Sequence, residues 1–312
     1  MGLFSNNQKL CPICGSPTPR LLATKVEDTP ICKECAGKID LPDGVLAQMS
    51  LDDFRQYLAY YEENQTLRDL FEETNHMSFG LLKGDLLADT THRLLRLKSY
   101  DGSLVFPAAA LKSFRFTEDG RTLFESGNGG LHCCRSDVPE RARELQPYID
   151  RFYLRKEEFR RMERMEELHD RRERRPGEPD DRPYIPEPTF DMPAPVRKFG
   201  VEVTLDDPYW HTAGWEIKAP GISGMEPDIN EYLCDYDNKV SELHDMAFAL
   251  ARVMDPAARE VWDGETGAAA QPAPAAPAAD TVTELQRYKM LLDTGVITEK
   301  EFSAKKKQLL GI

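Results

Sequence analysis

Cys11-Pro12-Ile13-Cys14-Gly15 and Cys32-Lys33-Glu34-Cys35 decide how this chain begins to fold. Seventeen residues separate Cys14 from Cys32, so the pattern is C-x2-C-x17-C-x2-C, within the spacing of four-thiolate zinc sites. Two residues between thiols let both sulfurs of a pair face one ion, and Gly15 frees the backbone for the positive φ of a tight turn. Leu21 to Val26 reads as a short strand between the pairs, with Thr29-Pro30-Ile31 leading back. So small a segment buries too little apolar surface to offset its chain entropy, and a metal must supply folding free energy on the order of 10 kcal/mol. The expectation is one structural Zn²⁺ held by Cys11, Cys14, Cys32 and Cys35, with Lys9, Lys33 and Lys38 offsetting the charge of the four thiolates. A closed four-sulfur shell leaves no position for substrate. Thiol redox chemistry would need a βαβ setting and one exposed thiol of low pKa, and the sequence displays neither.

Around these residues the chain resembles a bacterial family, domain of unknown function 4428, whose members open with CxxCG, a strand and then CxxCxxK. The counterparts here are CPICG and CKECAGK, and the resemblance covers about residues 9–73. It implies zinc binding and a helical continuation.

Ser50 and Asp53 form a capping box, with Met49 and Phe54 placed as a hydrophobic staple. They predict a helix to about Glu73, its apolar side made by Phe54, Leu58, Tyr61, Leu67, Leu70 and Phe71. From Phe79 to Phe124 short β-like segments follow, at 80–82, 93–97, 104–106, 111–116 and 122–124. Turns at Asp101-Gly102 and Asp119-Gly120 make them an antiparallel meander. Gly127-Asn128-Gly129-Gly130 reads as a loop. Strands resume over 199–205 and 214–217, before a helix from about Pro227 to Met254. Strands closed by one C-terminal helix resemble a pleckstrin-homology-like module, and Val201 to Trp210 matches a V-x-V-x-(x)-D-x-P-(Y/W) stretch of the same bacterial family.

A helix is expected from about Pro139 to Arg175. Thirteen basic and thirteen acidic side chains between Val138 and Arg182 cancel, leaving a narrow stripe of Leu145, Ile149, Phe152, Phe159, Met162 and Leu168. That fits an arm that packs on a partner, or more plainly a solvated helix on its own domain. The prolines between 176 and 195 predict an extended, poorly ordered return. His132, Cys133, Cys134 and Cys234 are the other candidates for metal or thiol chemistry. Lacking a ligand cluster at usable spacing, the cysteines are expected to pack in the interior, and His211 and His244 have no evident acid–base partner.

Residues 264–280, GETGAAAQPAPAAPAAD, are an Ala/Pro linker. Beyond it Thr281 and Glu284 start one helix, Gly295 stops it, and Thr298 with Glu301 starts a second. Leu285, Tyr288, Leu291, Leu292, Ile297, Phe302, Leu309 and Leu310 are too many apolar groups for two short helices to hide, so they are assigned to oligomerisation or docking. Leu291 to Phe302 and Lys307 to Leu310 closely resemble the SHOCT module, a short C-terminal domain, which implies an oligomerising or docking tail.

These patterns make a multi-domain α+β chain. Residues 1–48 are the zinc ribbon, 49–76 its following helix, 77–137 and 197–256 the two parts of the β-rich domain, 138–175 the charged insertion, 176–196 the Pro-rich segment, and 281–312 the tail. A formal charge of -14 repels nucleic-acid phosphate and anionic lipid. Residues 1–40 carry five basic and four acidic side chains, which is no phosphate footprint. No apolar run approaches the roughly 20 residues of a membrane span, and MGLFSNNQKLC lacks the apolar stretch of a signal peptide. Seven cysteines, four of them in CxxC pairs, suit a reducing compartment. Phosphate-loop, nucleophile-elbow, HExxH and strand-linked GxGxxG motifs are missing from the sequence. The chain therefore reads as a non-enzymatic, zinc-binding bacterial adapter of the cytoplasm. The alternatives are a nucleic-acid-associated ribbon assisted by Lys305, Lys306 and Lys307, a run that also serves as the basic end of a helix, and a thiol-based redox sensor.

Overall fold

The computed structural model describes residues 9–80, 84–98, 100, 102–127, 129–173 and 186–263, with backbone alone over 169–173. The linker and the tail assigned to docking lie outside these residues, as do residues 176–185 of the Pro-rich segment.

The N-terminal segment opens with a bridge between Leu10 and Pro17. A hairpin of β1 (Lys25–Val26) and β2 (Thr29–Pro30) follows, then α1 (Lys33–Gly37) and α2 (Val45–Gln48). The strand is shorter than expected: Leu21 and Leu22 are exposed and Leu22 has φ 54°. The capping box at Ser50 and Asp53 forms and starts α3 (Leu51–Glu63), which buries Phe54, Tyr57, Leu58 and Tyr61. The helical run breaks at Asn64, whose amide exchanges two hydrogen bonds with Val105, and ends as α4 (Gln65–Leu70). Leu70 is exposed and Arg68 is buried in its stead, stacked on Tyr61 and donating to the Tyr61 carbonyl at 2.8 Å.

The expected single meander is divided between two sheets. The first is a four-stranded antiparallel meander of β3 (Asn75–Ser78), β4 (Asp85–Asp89), β5 (Leu94–Arg96) and β6 (Val105–Pro107). Residues 81–83 lie outside the described residues, and with them most of the segment expected at 80–82. A 3-10 turn at Ala108–Ala110 ends this sheet, and the chain begins the second with β7 (Leu111–Glu118), β8 (Arg121–Gly127) and β9 (Gly130–Cys133). Gly127 and Gly130 are thus paired strand residues.

The charged segment forms two helices, α5 (Val138–Arg143) and α6 (Gln146–Glu173). Ile149 and Phe152 are buried, while Met162, Met165 and Leu168 are exposed, so only the first turns of α6 pack on the body. Lys156 fastens them by donating to the Met225 carbonyl at 2.7 Å. Over its described residues, 186–196, the Pro-rich return packs on the body: Phe190 and Val196 are buried, and the Phe190 amide donates to the Gly224 carbonyl at 2.7 Å.

The chain re-enters the second sheet through β10 (Lys198–Leu205) and β11 (Thr212–Lys218), then forms α7 (Ile229–Met254) and β12 (Arg259–Trp262). The spatial order is β11-β10-β7-β8-β9-β12, and the β9–β12 pair is parallel. β10 shows period-two burial, with Phe199, Val201, Val203 and Leu205 inward. Phe116 and Phe114 of β7 stand opposite Val201 and Val203. The Asp228 carboxylate caps α7 by accepting the Asn230 and Glu231 amides, and the helix packs against strands of both sheets. Buried residues from Cys11 to Ala258 belong to one core cluster, so the N-terminal segment shares its interior with the β body.

Candidate metal centres

At the first knuckle, the Gly15 amide donates to the Cys11 carbonyl at 2.9 Å and the Cys11 amide to Ser16 at 2.8 Å. Gly15 takes φ 75°, the left-handed conformation this turn needs. At the second, the Cys32 sulfur caps α1 by accepting the Cys35 amide at 3.4 Å. Both turns leave two sulfurs pointing the same way.

The four sulfurs lie within 4.8 Å of one another. Three separations are 3.4 Å for Cys14–Cys32, 3.7 Å for Cys14–Cys35 and 3.9 Å for Cys11–Cys35. Tetrahedral coordination with metal–sulfur bonds near 2.3 Å sets sulfur pairs about 3.8 Å apart. The donor set therefore fits one tetrahedral thiolate-bound ion. Cys11, Cys32 and Cys35 are buried and Cys14 is exposed.

The thiols do not share one protonation tendency. The Ser16 hydroxyl and amide draw the exposed Cys14 thiol down to about 6. An exposed thiol of low pKa, which the sequence did not display, is thus present, though without a βαβ setting around it among the described residues. Burial pushes Cys11 up, but hydrogen bonds from the Cys14, Cys32 and Ile13 backbone outweigh it and leave that thiol below its ordinary value. Burial, then the neighbouring sulfurs, drive Cys35 strongly upward. Four negative sulfurs at these distances repel one another, and a divalent cation is what makes all four thiolates compatible. Of the lysines expected nearby, Lys38 forms an ion pair with Glu62.

The segment is tied to the β body by Asp40. Its carboxylate accepts from the Leu104 amide at 2.7 Å and pairs with Lys98 at 2.9 Å, and the Tyr57 hydroxyl accepts the Asp40 amide at 2.7 Å. The Val201 to Trp210 stretch has a similar part. Asp207 accepts the Tyr209 and Trp210 amides and is bonded by the Tyr60 hydroxyl of α3.

Elsewhere the structure assembles groups that sequence spacing left apart. His132 and Cys134 meet Asp263, and Cys133 meets His244 and Glu260; in each trio the donor atoms lie within 4.8 Å of one another. Alternation along β9 sends residues 132 and 134 to one side and 133 to the other. Cys133 is fully buried, and burial with the nearby Glu260 carboxylate pushes it up to about 12. Cys134 is half-buried and is pushed up to about 11, by burial and then by its hydrogen bond to Asp263. Cys234, expected in the interior, is exposed on α7. His211 is exposed, and its carbonyl accepts the Leu205 amide at 2.8 Å. Sequence reasoning missed Glu260 and Asp263 because it missed β12. The one available signal was the β-branched and aromatic pair Val261-Trp262.

Among the described residues no helix is long and apolar enough to cross a membrane. Comparison with curated proteins and with solved structures finds no match. The family model of SHOCT, the short C-terminal domain, matches residues 283–310.

Proposed function

We propose that this chain is a non-enzymatic, zinc-binding adapter of the bacterial cytoplasm, which self-associates or docks through its C-terminal module. The observation that carries the proposal is the SHOCT match at residues 283–310, joined by an Ala/Pro stretch to a body with a single core. Read as a two-helix hairpin, that module must cover Leu285, Leu291, Phe302 and Leu310 with another surface. A tethered tail of this kind multiplies weak contacts through effective concentration.

Zinc is the ion assigned to Cys11, Cys14, Cys32 and Cys35. The support is the all-sulfur donor set and its tetrahedral spacing. Such a site serves folding, since its shell is closed. The β body is read as a pleckstrin-homology-like recognition module. Two sheets that share one core and a long helix against both support this reading.

Light scattering tests the central claim. The full chain should have a mass above that of one protomer, and a chain ending at Gly264 should scatter as a single protomer. Equal masses for the two would overturn self-association. Elemental analysis of reduced, freshly purified protein should find one tightly held zinc per chain.

A further inference from the structure

We propose that His132, Cys134 and Asp263 form a second metal site, for a divalent transition-metal ion of the zinc class, with one coordination position open to solvent. The trio lies where β9 ends beside the end of β12. The parallel register sets Val261 beside His132 and Trp262 beside Cys133, which brings Asp263 level with Cys134. The Asp263 amide fixes the corner by donating to the Cys133 carbonyl at 3.0 Å.

The donor set is mixed. The His132 Nε2 is 2.9 Å from an Asp263 carboxylate oxygen, and the His132 nitrogen, Cys134 sulfur and Asp263 oxygen all fall within 4.8 Å of one another. One nitrogen, one sulfur and one oxygen suit a borderline ion such as Zn²⁺ or Co²⁺ better than the hard Mg²⁺ or Ca²⁺. Glu125, opposite His132 in the β8–β9 register, places a carboxylate oxygen 3.5 Å from His132 Nδ1. A carboxylate on the far nitrogen is the usual outer partner of a metal-bound imidazole.

Charge and protons balance. The ion takes up the Cys134 thiolate, the Asp263 carboxylate and a neutral His132, and the complex is electrically neutral. The thiol proton leaves to water, and the imidazole, bound through Nε2, keeps its one proton on Nδ1, facing the Glu125 carboxylate. The side chains of His132 and Asp263 are 35% and 54% exposed. Three protein ligands at an accessible rim leave a fourth position for water or an exchangeable anion. The trio on the other side of β9 lacks such access, because the Cys133 sulfur is sealed in the core.

The test is a Co²⁺ titration of the full chain as purified, with its tightly held metal in place, read by absorbance and by ion count. Cys134→Ser should bind one Co²⁺ fewer than the unaltered chain. That difference of one is expected whether or not the four-cysteine cluster holds zinc, so the two metal assignments fail separately. Asp263→Asn, at an exposed position, should lose the same ion. Glu125→Gln should weaken it about 10- to 100-fold. Equal Co²⁺ stoichiometry in the unaltered chain, Cys134→Ser and Asp263→Asn overturns the site. So does loss of the ion in Cys133→Ser with retention in Cys134→Ser.

Discussion

The indole Nε1–H of Trp210 donates to the carbonyl oxygen of Asp40 at 3.0 Å, joining positions 170 residues apart in the chain. Trp210 follows β10, while Asp40 lies between α1 and α2, just past the last cysteine of the cluster. The bond is buried, and Phe106 packs against the same indole with ring centroids 6.5 Å apart. The segment that carries the four-cysteine cluster is therefore wired into the β body.

Trp210→Phe keeps most of the apolar bulk and removes the donor. A buried carbonyl left without its partner costs about 1–3 kcal/mol. The urea midpoint should fall accordingly, with the slope of the transition unchanged. A midpoint identical to the unaltered chain would mean that water replaces the indole at Asp40.

Cys32→Ser should abolish tight metal binding, because Cys32 supplies both a sulfur ligand and the cap of α1. The lost metal contribution, on the order of 10 kcal/mol, is comparable to the whole stability of an ordinary domain. Residues 9–48 should unfold, and tryptophan emission should shift to the red as Trp210 is hydrated. Metal loss with unchanged emission would show that the Asp40–Trp210 link survives without the ion.

Asp89 carries the clearest pH dependence. It is fully buried and its carboxylate accepts the Glu72, Thr91 and His92 amides and the His92 ring, at 2.8 to 2.9 Å. Burial alone would raise its pKa, but these bonds outweigh burial and hold it below the ordinary 3.8. A depressed pKa means that the folded state binds fewer protons than the unfolded one. The stabilisation is therefore present above about pH 4 and is lost as pH falls through the lower folded value. Urea midpoints of the unaltered chain and Asp89→Asn should differ at pH 6 and converge toward pH 3. A gap that stays constant over this range would contradict the assignment.

The parts of the structure that could be read from sequence are those specified locally. The Ser50–Asp53 cap, the alternation of Phe199 to Leu205 and the two CxxC turns each need fewer than ten consecutive residues. β4 was missed because Leu86, Leu87 and Ala88 are inaccessible on both faces, which removes the alternation that marks a strand. β12 was missed because its four residues are nearly all exposed, and its pairing with β9 is specified by residues far away in the chain. The same distance hid the two trios: His132 and Asp263 are brought together only by that parallel pairing. The continuous helix expected over 139–175 failed at Leu145, which is partly buried against the core and marks where α5 turns into α6.

Tyr236 tests a buried polar network. Its hydroxyl donates to Glu118 at 2.7 Å, and the Ser136 hydroxyl donates to the other oxygen of that carboxylate, also at 2.7 Å. Glu118 is buried at the end of β7. Removing one donor from a buried charged acceptor costs about 1.5–3 kcal/mol. Tyr236→Phe should lower stability by that amount at neutral pH. A loss below about 0.5 kcal/mol, the level of ordinary surface substitutions, would mean that Ser136 alone satisfies the carboxylate.

Gly130 is where sequence, strand pairing and the second metal site converge. Its φ is 151°, and a Cβ there would stand 2.0 Å from the Arg259 carbonyl oxygen and 2.6 Å from the Arg259 nitrogen. Both obstacles are backbone, so no side-chain adjustment relieves them and β12 must move away. Gly129 supplies the control: its φ is 89° with nothing within 4 Å of the added carbon, so alanine there costs only the left-handed strain of about 1–2 kcal/mol. Amide exchange of residues 259–262 should accelerate in Gly130→Ala and stay slow in Gly129→Ala, while β7 and β10 remain protected in both. Because Asp263 follows β12, Gly130→Ala should also lose the Co²⁺ that Cys134→Ser loses. Retention of that ion with β12 displaced would mean that Asp263 is not among its ligands.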